Sequence, residues 1–343
     1  MADLSKAVLT KCTLAGARLA GAKLVECKLA ESDLTGVDLT GADLSKAVLT
    51  GATTDGLRLD GAKLAGAKLP SGLVLDGQDL ASCNLSAATM CEVSMVGTTL
   101  RSADLSKAVL TRSVLTDCDL RGAKLVGVSA DGASLSGADC TGADLTNAVL
   151  TNATAVGILL SGATLCGAKL PKTLALDGQD LSSCDLSGAD VSGASMVGTN
   201  LAGANLKGCK MAGCDLTDAD CTGANLKKAV LTNAVVEGLQ LSRATLSGCK
   251  LPPELHLDGQ DLLGADLSGA EMSGVSLVGT KLTGANLTAC RLAGANLTGA
   301  NLTEAVLARA VLAGAVMEGI DLTGANFTGA DMSAVVLRKA ALR

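Results

Sequence analysis

A leucine-like residue recurs every five positions along this chain. It begins at Leu4, Leu9, Leu14, Leu19 and Leu24 and closes at Met332, Leu337 and Leu342. Two positions before each stands a small residue, as at Ala2, Ala7, Cys12, Ala17 and Ala22. A fixed short period held over a whole chain marks a repeat architecture, in which each unit buries its apolar side only by stacking on its neighbours.

The phase of this period shifts only three times. Leucine positions run from 4 to 69, 75 to 170, 176 to 251 and 257 to 342, so 68 pentads and three inserted residues account for all 343 residues. The reading is therefore one repeat domain over 1–343, with one-residue insertions near 70–74, 171–175 and 252–256. Each insertion has the same setting: KLPSGLVLDGQDL around Pro70, KLPKTLALDGQDL around Pro171 and KLPPELHLDGQDL around Pro252. The segments that begin AVL at Ala47, Ala148, Ala229 and Ala310 recur at 101, 81 and 81 residues, which is twenty or sixteen pentads plus the inserted residue. Both numbers divide by four and neither by three. Four pentads per turn would put every insertion on one face and give about 17 coils. At about 4.8 Å per stacked layer, such a rod is on the order of 80 Å long.

The units ADLSK (Ala2–Lys6), ADLTN (Ala143–Asn147) and ANLTG (Ala295–Gly299) resemble the pentapeptide-repeat family, and the resemblance covers the entire chain. It implies an all-β fold, a right-handed quadrilateral parallel β-helix (a solenoid), with the leucine and the preceding small residue inward and the other three positions facing solvent. Glycines such as Gly16, Gly21 and Gly36 would stand at the corners. Departures from the pattern conserve volume. The leucine position shrinks at Thr54 and Ala155, while the next small position grows to Leu57 and Ile158. Gln78, Gln179 and Gln260 put a long amide where alanine belongs, just after each insertion. Because a buried amide is costly unless bonded, each is expected to cap backbone groups that the extra residue leaves unpaired.

Such a core contains almost no aromatic residue, since Phe327 is alone and Tyr and Trp are absent. A mean hydropathy of +0.41 looks membrane-like. However, polar residues interrupt every pentad, and no apolar run approaches the roughly 18 residues of a membrane-spanning helix. Of the 13 cysteines, nine stand at the small position and two, Cys140 and Cys221, at the leucine position; only Cys91 and Cys166 fall on outward phases. Mostly inward thiols with no CxxC pair read as core residues in a reducing compartment. No charged and apolar leader precedes the first pentad. The expected location is intracellular, most simply cytoplasmic.

Little is left over for chemistry. The sole histidine, His256, lies outward beside the third insertion with no nucleophile or carboxylate constellation fixed near it, and no glycine-rich GxxxxGK[ST] loop occurs. The inward thiols point into packed layers and do not converge as metal ligands. No catalytic residue, cofactor or metal is expected. Direct nucleic-acid binding is not expected either, because the chain has one Phe and a net charge of −6. The remaining reading is a scaffold for protein–protein interaction, with no residue that names a partner. Its candidate face comprises Pro70, Asp76, Asp79, Pro171, Asp177, Asp180, Pro252, His256, Asp258 and Asp261, although the insertions read equally well as marks of duplicated segments. Bare solenoid ends would also allow end-to-end self-association.

The alternative comes from the resemblance. Some family members, the quinolone-resistance proteins, are dimers whose acidic surface mimics DNA at a type II topoisomerase. Asp55, Asp76, Asp177, Glu237, Asp258 and Glu318 would share one face, and Asp79, Asp180 and Asp261 the next. Against it, −6 over the whole chain is thin beside duplex DNA with one charge per ~1.7 Å. The phenylalanine-rich centre and C-terminal dimerising helix typical of those proteins are also missing.

Overall fold

The computed structural model describes residues 2–252 and 255–341, so Pro253 and Glu254 of the third insertion and Leu342 of the last pentad lie outside the described residues. Each pentad makes one straight side and one corner. In Ala42–Lys46, Ala42 and Leu44 are fully buried, Asp43 points outward, and Ser45 and Lys46 turn the chain. The corner closes with Ala47 N donating to Leu44 O at 2.9 Å. Lys46 has a φ of 59°, the positive value that the third residue of a type II turn requires. The same position explains the glycine content. All 41 glycines have positive φ, and 24 other residues among those described share that conformation with them.

Layers stack through parallel pairing at a constant register, each outward residue bridging the one twenty positions further on: Asp3 to Lys23, Lys23 to Asp43, Asp43 to Lys63. Away from the insertions, regular sides contribute the same bonds. Leu44 N donates to Lys63 O at 2.8 Å and Lys63 N to Ala42 O at 2.9 Å, while at the corner Lys46 N donates to Ala65 O at 2.7 Å. Among the described residues no helix is long and apolar enough to cross a membrane.

The chain divides into two compact units, Met1–Ala175 and Leu176–Arg343. In the first, the ladder runs from Asp3–Lys23 to Val149–Lys169, and Leu24, Leu44, Leu64, Leu85, Leu105 and Leu125 stack up the interior. In the second it runs from Asp180–Asn200 to Asp321–Ala341, with Leu186, Leu206, Leu226, Leu246, Leu267 and Leu287 in the equivalent stack. A stack of this kind replaces the aromatic payload of an ordinary core by repetition: each leucine covers the one before it.

The outward columns carry charges of both signs, paired between layers. Arg101 and Arg121 both reach Asp119, at 2.9 and 2.7 Å, and Arg121 also lies 3.5 Å from Asp139. The Arg121 and Arg101 guanidinium groups hold the Asp119 carboxyl well below the usual carboxylate range. A depressed folded value means that the stabilisation is present above the unfolded value, about 4, and is lost as pH falls through the folded one. Asp119→Asn should therefore cost about 1 kcal/mol or less at pH 7. The difference from wild type should close as pH falls below about 4 and shrink in molar salt. Urea titrations across pH check this.

Candidate functional site

The insertion coils are where the regular register fails. After Leu69 the extra residue, Pro70, is buried, and its carbonyl takes over the corner bond from the leucine, accepting from Leu73 N at 3.4 Å. Pro171 and Pro252 are likewise buried, accepting from Leu174 N and Leu255 N at 3.1 Å. The three prolines are thus buried instead of standing out on the candidate face, although Pro252 still forms part of the cleft wall described below. The small position that follows each proline has itself become leucine, Leu73, Leu174 or Leu255, each buried.

One extra residue displaces the strand that should pair with the layer before it. Among the described residues no bridge joins Thr53 to Val74 or Arg58 to Asp79; single backbone bonds return with Gly61 N to Asp79 O at 3.0 Å and Leu64 N to Asn84 O at 2.8 Å, and the next full bridge is Lys68–Thr89. Gln78 bridges the gap with its side chain. Its Nε2 donates to Leu57 O at 2.9 Å and its Oε1 accepts from Leu59 N at 2.8 Å, the two groups that an unbroken ladder would join to Asp79. The amide thus stands in for a peptide group. Asp79 N turns instead to Asp60 Oδ1 at 3.0 Å. In the third copy Gln260 Nε2 likewise donates to Leu239 O.

The acidic residues are committed locally as well. Asp76 Oδ1 accepts from Ser94 Oγ at 2.6 Å and Val96 N at 2.8 Å in the next layer. Asp177 does the same with Ser195 and Val197 at 2.6 and 2.9 Å, and Asp258 with Ser276 and Val278 at 2.6 and 2.8 Å. Asp79, Asp180 and Asp261 each accept from the backbone N–H two residues on, at 3.0, 3.0 and 3.1 Å. Asp180 also accepts from Asn200 Nδ2 at 3.0 Å. Sequence reasoning missed these staples, yet a signal was present. SMVGT at Ser94 and Ser195 and SLVGT at Ser276 follow each insertion at one fixed offset, and the buried Thr98, Thr199 and Thr280 donate to Leu75 O, Leu176 O and Leu257 O at 2.9, 2.9 and 2.8 Å.

Beside the insertions the wall is open. Ala52, Ala234 and Val236 are 8–9% exposed where inward residues of neighbouring layers are at 0–2%. In the third copy the opening is a cleft of about 450 Å³. His256 lines it, with Nδ1 3.9 Å from Asp258 Oδ2. Among the described residues no three His, Cys, Asp or Glu side chains converge as metal ligands. All 13 cysteines carry thiols. Burial pushes Cys118, Cys140, Cys221, Cys249 and Cys290 up to about 12, so none is a nucleophile near neutral pH.

A family model described as pentapeptide repeats matches residues 2–41, 42–70, 79–117, 113–152, 143–173, 180–218, 209–248, 255–288 and 290–329. The chain belongs to the pentapeptide-repeat family. Its members fold as right-handed quadrilateral β-helices. Among solved structures it is similar to HetL, a pentapeptide-repeat protein involved in heterocyst differentiation regulation in the cyanobacterium Nostoc sp. strain PCC 7120. The two share 30% identity over 73% of this chain and 89% of HetL, with a TM-score of 0.25. It is also similar to QnrB1, a plasmid-mediated fluoroquinolone resistance protein, at 19% identity over 73% of this chain and 92% of QnrB1, with a TM-score of 0.25. A third is a pentapeptide-repeat protein of the Arabidopsis thaliana thylakoid lumen, at 31% identity over 34% of this chain and 66% of that one, with a TM-score of 0.13. No curated protein is significantly similar to this chain in sequence.

Two outcomes test the arrangement. Gln78→Leu strands Leu57 O and Leu59 N and should lower stability to urea by about 1–3 kcal/mol. The exposed Gln240→Leu should stay within about 0.5 kcal/mol of wild type. In the native protein, a maleimide should label Cys12, Cys91 and Cys166, the three thiols that are not buried, and reach the other ten only after denaturation; mass spectrometry of the labelled peptides reads this directly.

Proposed function

We propose that the chain is a non-enzymatic scaffold that mediates protein–protein interaction, built as one repeat domain over 1–343 with four pentapeptides per coil and about 17 coils. The twenty-residue register supports the coil size, since it equals four pentads. One observation carries the functional reading. The carboxylates, hydroxyls and amides around the insertions are engaged in holding one layer to the next, as in Asp76 with Ser94 and Val96, or Gln78 with Leu57 and Leu59. What such side chains offer outward is a regular display of small polar and charged groups on a rigid ladder, which suits binding rather than bond-making.

The surface of interest is the outward remainder of the insertion coils, Asp76, Asp79, Asp177, Asp180, His256, Asp258 and Asp261, all of which are exposed. Thirteen thiols support an intracellular, reducing location. The DNA-mimic reading is not favoured. Arg101 and Arg121 neutralise Asp119 and Asp139 in the middle of an acidic column, which breaks the continuous negative stripe that mimicry requires.

The test is affinity capture with the full chain from its native cell, alongside an Asp79→Lys/Asp261→Lys variant checked for unchanged circular dichroism. The expected outcome is a protein that copurifies with wild type and is lost with the variant, and no effect of either protein on gyrase supercoiling. Inhibition of supercoiling, or no specific copurifying protein, overturns the reading.

A further inference from the structure

We infer that the opening beside an insertion is a slot for an extended basic peptide, which adds one parallel strand to the edge that the inserted residue leaves unpaired. This rests on the scaffold reading and names the chemistry of the partner.

An unbroken layer shows which bonds are missing. One layer below the third cleft, Leu216 N donates to Val235 O, Asp218 N donates to Glu237 O, and Val235 N donates to Cys214 O, all at 2.8 Å. The groups that should continue this ladder upward are Ala234 O, Val236 N and Gly238 N, and none has a backbone partner among the described residues. Nor does any described bridge join Val235 to His256. The first copy repeats the pattern. Ala52 O, Thr54 N and Gly56 N are unpaired, and Thr53 is not bridged to Val74. In both copies the inward residues beside this edge, Ala52, Ala234 and Val236, keep 8–9% exposure, and in the third copy the edge borders the cleft.

The geometry of this edge selects its ligand. A parallel bridge uses the carbonyl before a residue and the N–H after it. A peptide residue whose N–H meets Ala234 O and whose C=O meets Val236 N would complete one bridge. The carbonyl two residues further on would meet Gly238 N. This is strand addition to a sheet edge, in which main-chain bonds supply affinity and the lining supplies selectivity. The lining here is Ala234, Val235, Val236 and Pro252, with Val235 51% exposed, which suits an aliphatic side chain. The cleft, at about 450 Å³, is within the range of sites that enclose a ligand.

Charge decides between peptides. Glu237 lines the cleft, while no lysine or arginine is among its described lining residues. Asp258 has committed Oδ1 to Ser276 and Val278. Its other oxygen faces His256. The first copy places Asp55 and Asp76 in the equivalent positions. An acidic peptide would be repelled at both; a lysine or arginine flanking the aliphatic residue is drawn in.

The experiment uses the full chain and an NBD-labelled peptide, Lys-Val-Thr-Val-Lys, followed by fluorescence anisotropy. Saturable binding is expected. It should weaken at least tenfold for Glu-Val-Thr-Val-Glu and for one of the two forms of Lys-Val-Thr-Val-Lys N-methylated at alternate residues, the form in which the N–H groups that face the edge are blocked, while the other form still binds. It should weaken at least fivefold for the Asp55→Arg/Glu237→Arg variant, whose substituted residues are exposed and whose melting temperature should match wild type. Absence of saturable binding, or binding indifferent to N-methylation or to the double variant, overturns the inference. Copurification of a partner protein that the double variant leaves unchanged would also overturn it while leaving the scaffold reading in place.

Discussion

The parallel backbone pairing of each layer with the next, at a register of twenty residues, is the interaction on which everything else in this protein depends. It satisfies the main-chain donors and acceptors that a thin all-β stack would otherwise expose. It also sets the side-chain arrangement. Because the register never varies within an unbroken stretch, inward residues of successive layers stack on one another, and away from the insertions a core without tyrosine or tryptophan still closes to 0–2% exposure at residues such as Leu24, Leu105, Leu206 and Leu287. The corner conformation serves the same end, since only a positive φ at the second corner residue brings the chain round in time to meet its own previous layer.

An inserted residue is consequently a defect in a one-dimensional lattice, and the chain treats it as one. Pro70 fills the extra space, Gln78 substitutes for a missing peptide, and Asp76 and Thr98 fasten the displaced coil to the layer above. These residues form one device that recurs with DGQD and S[ML]VGT in each copy. Repair is incomplete. The edge at Ala52–Gly56, and again at Ala234–Gly238, has donors and an acceptor without backbone partners among the described residues, and a sheet edge of that kind is what solenoids ordinarily cover. The unusual chemistry of this protein therefore resides in its main chain, while the side chains that look reactive in the sequence are structural.

The cysteines illustrate the same inversion. Thirteen thiols in a chain of 343 residues suggest redox or metal chemistry until their phase in the repeat is read, and ten of them are buried. Burial disfavours the thiolate and removes the nucleophile. Those thiols then act as slightly larger alanines or slightly smaller leucines, which allows the volume of successive layers to be adjusted without altering the register.

The sequence by itself determined the repeat, the inward and outward phases, the corner glycines and the positions of the three insertions. It could do so because a five-residue period leaves each residue only one environment, and membership of the family follows from the same pattern. It also placed Gln78 at a spot where an amide needs a backbone partner, since alanine is otherwise the rule there. Only the tertiary structure decided which groups the insertions couple. That Asp76 meets Ser94, that Pro70 is buried, and that Thr54 N and Val236 N have no backbone partner among the described residues all depend on how far the displaced coil shifts against its neighbour. That shift is a balance between packing a proline ring and preserving hydrogen bonds across layers about twenty residues apart in sequence, and local sequence pattern does not encode such a balance.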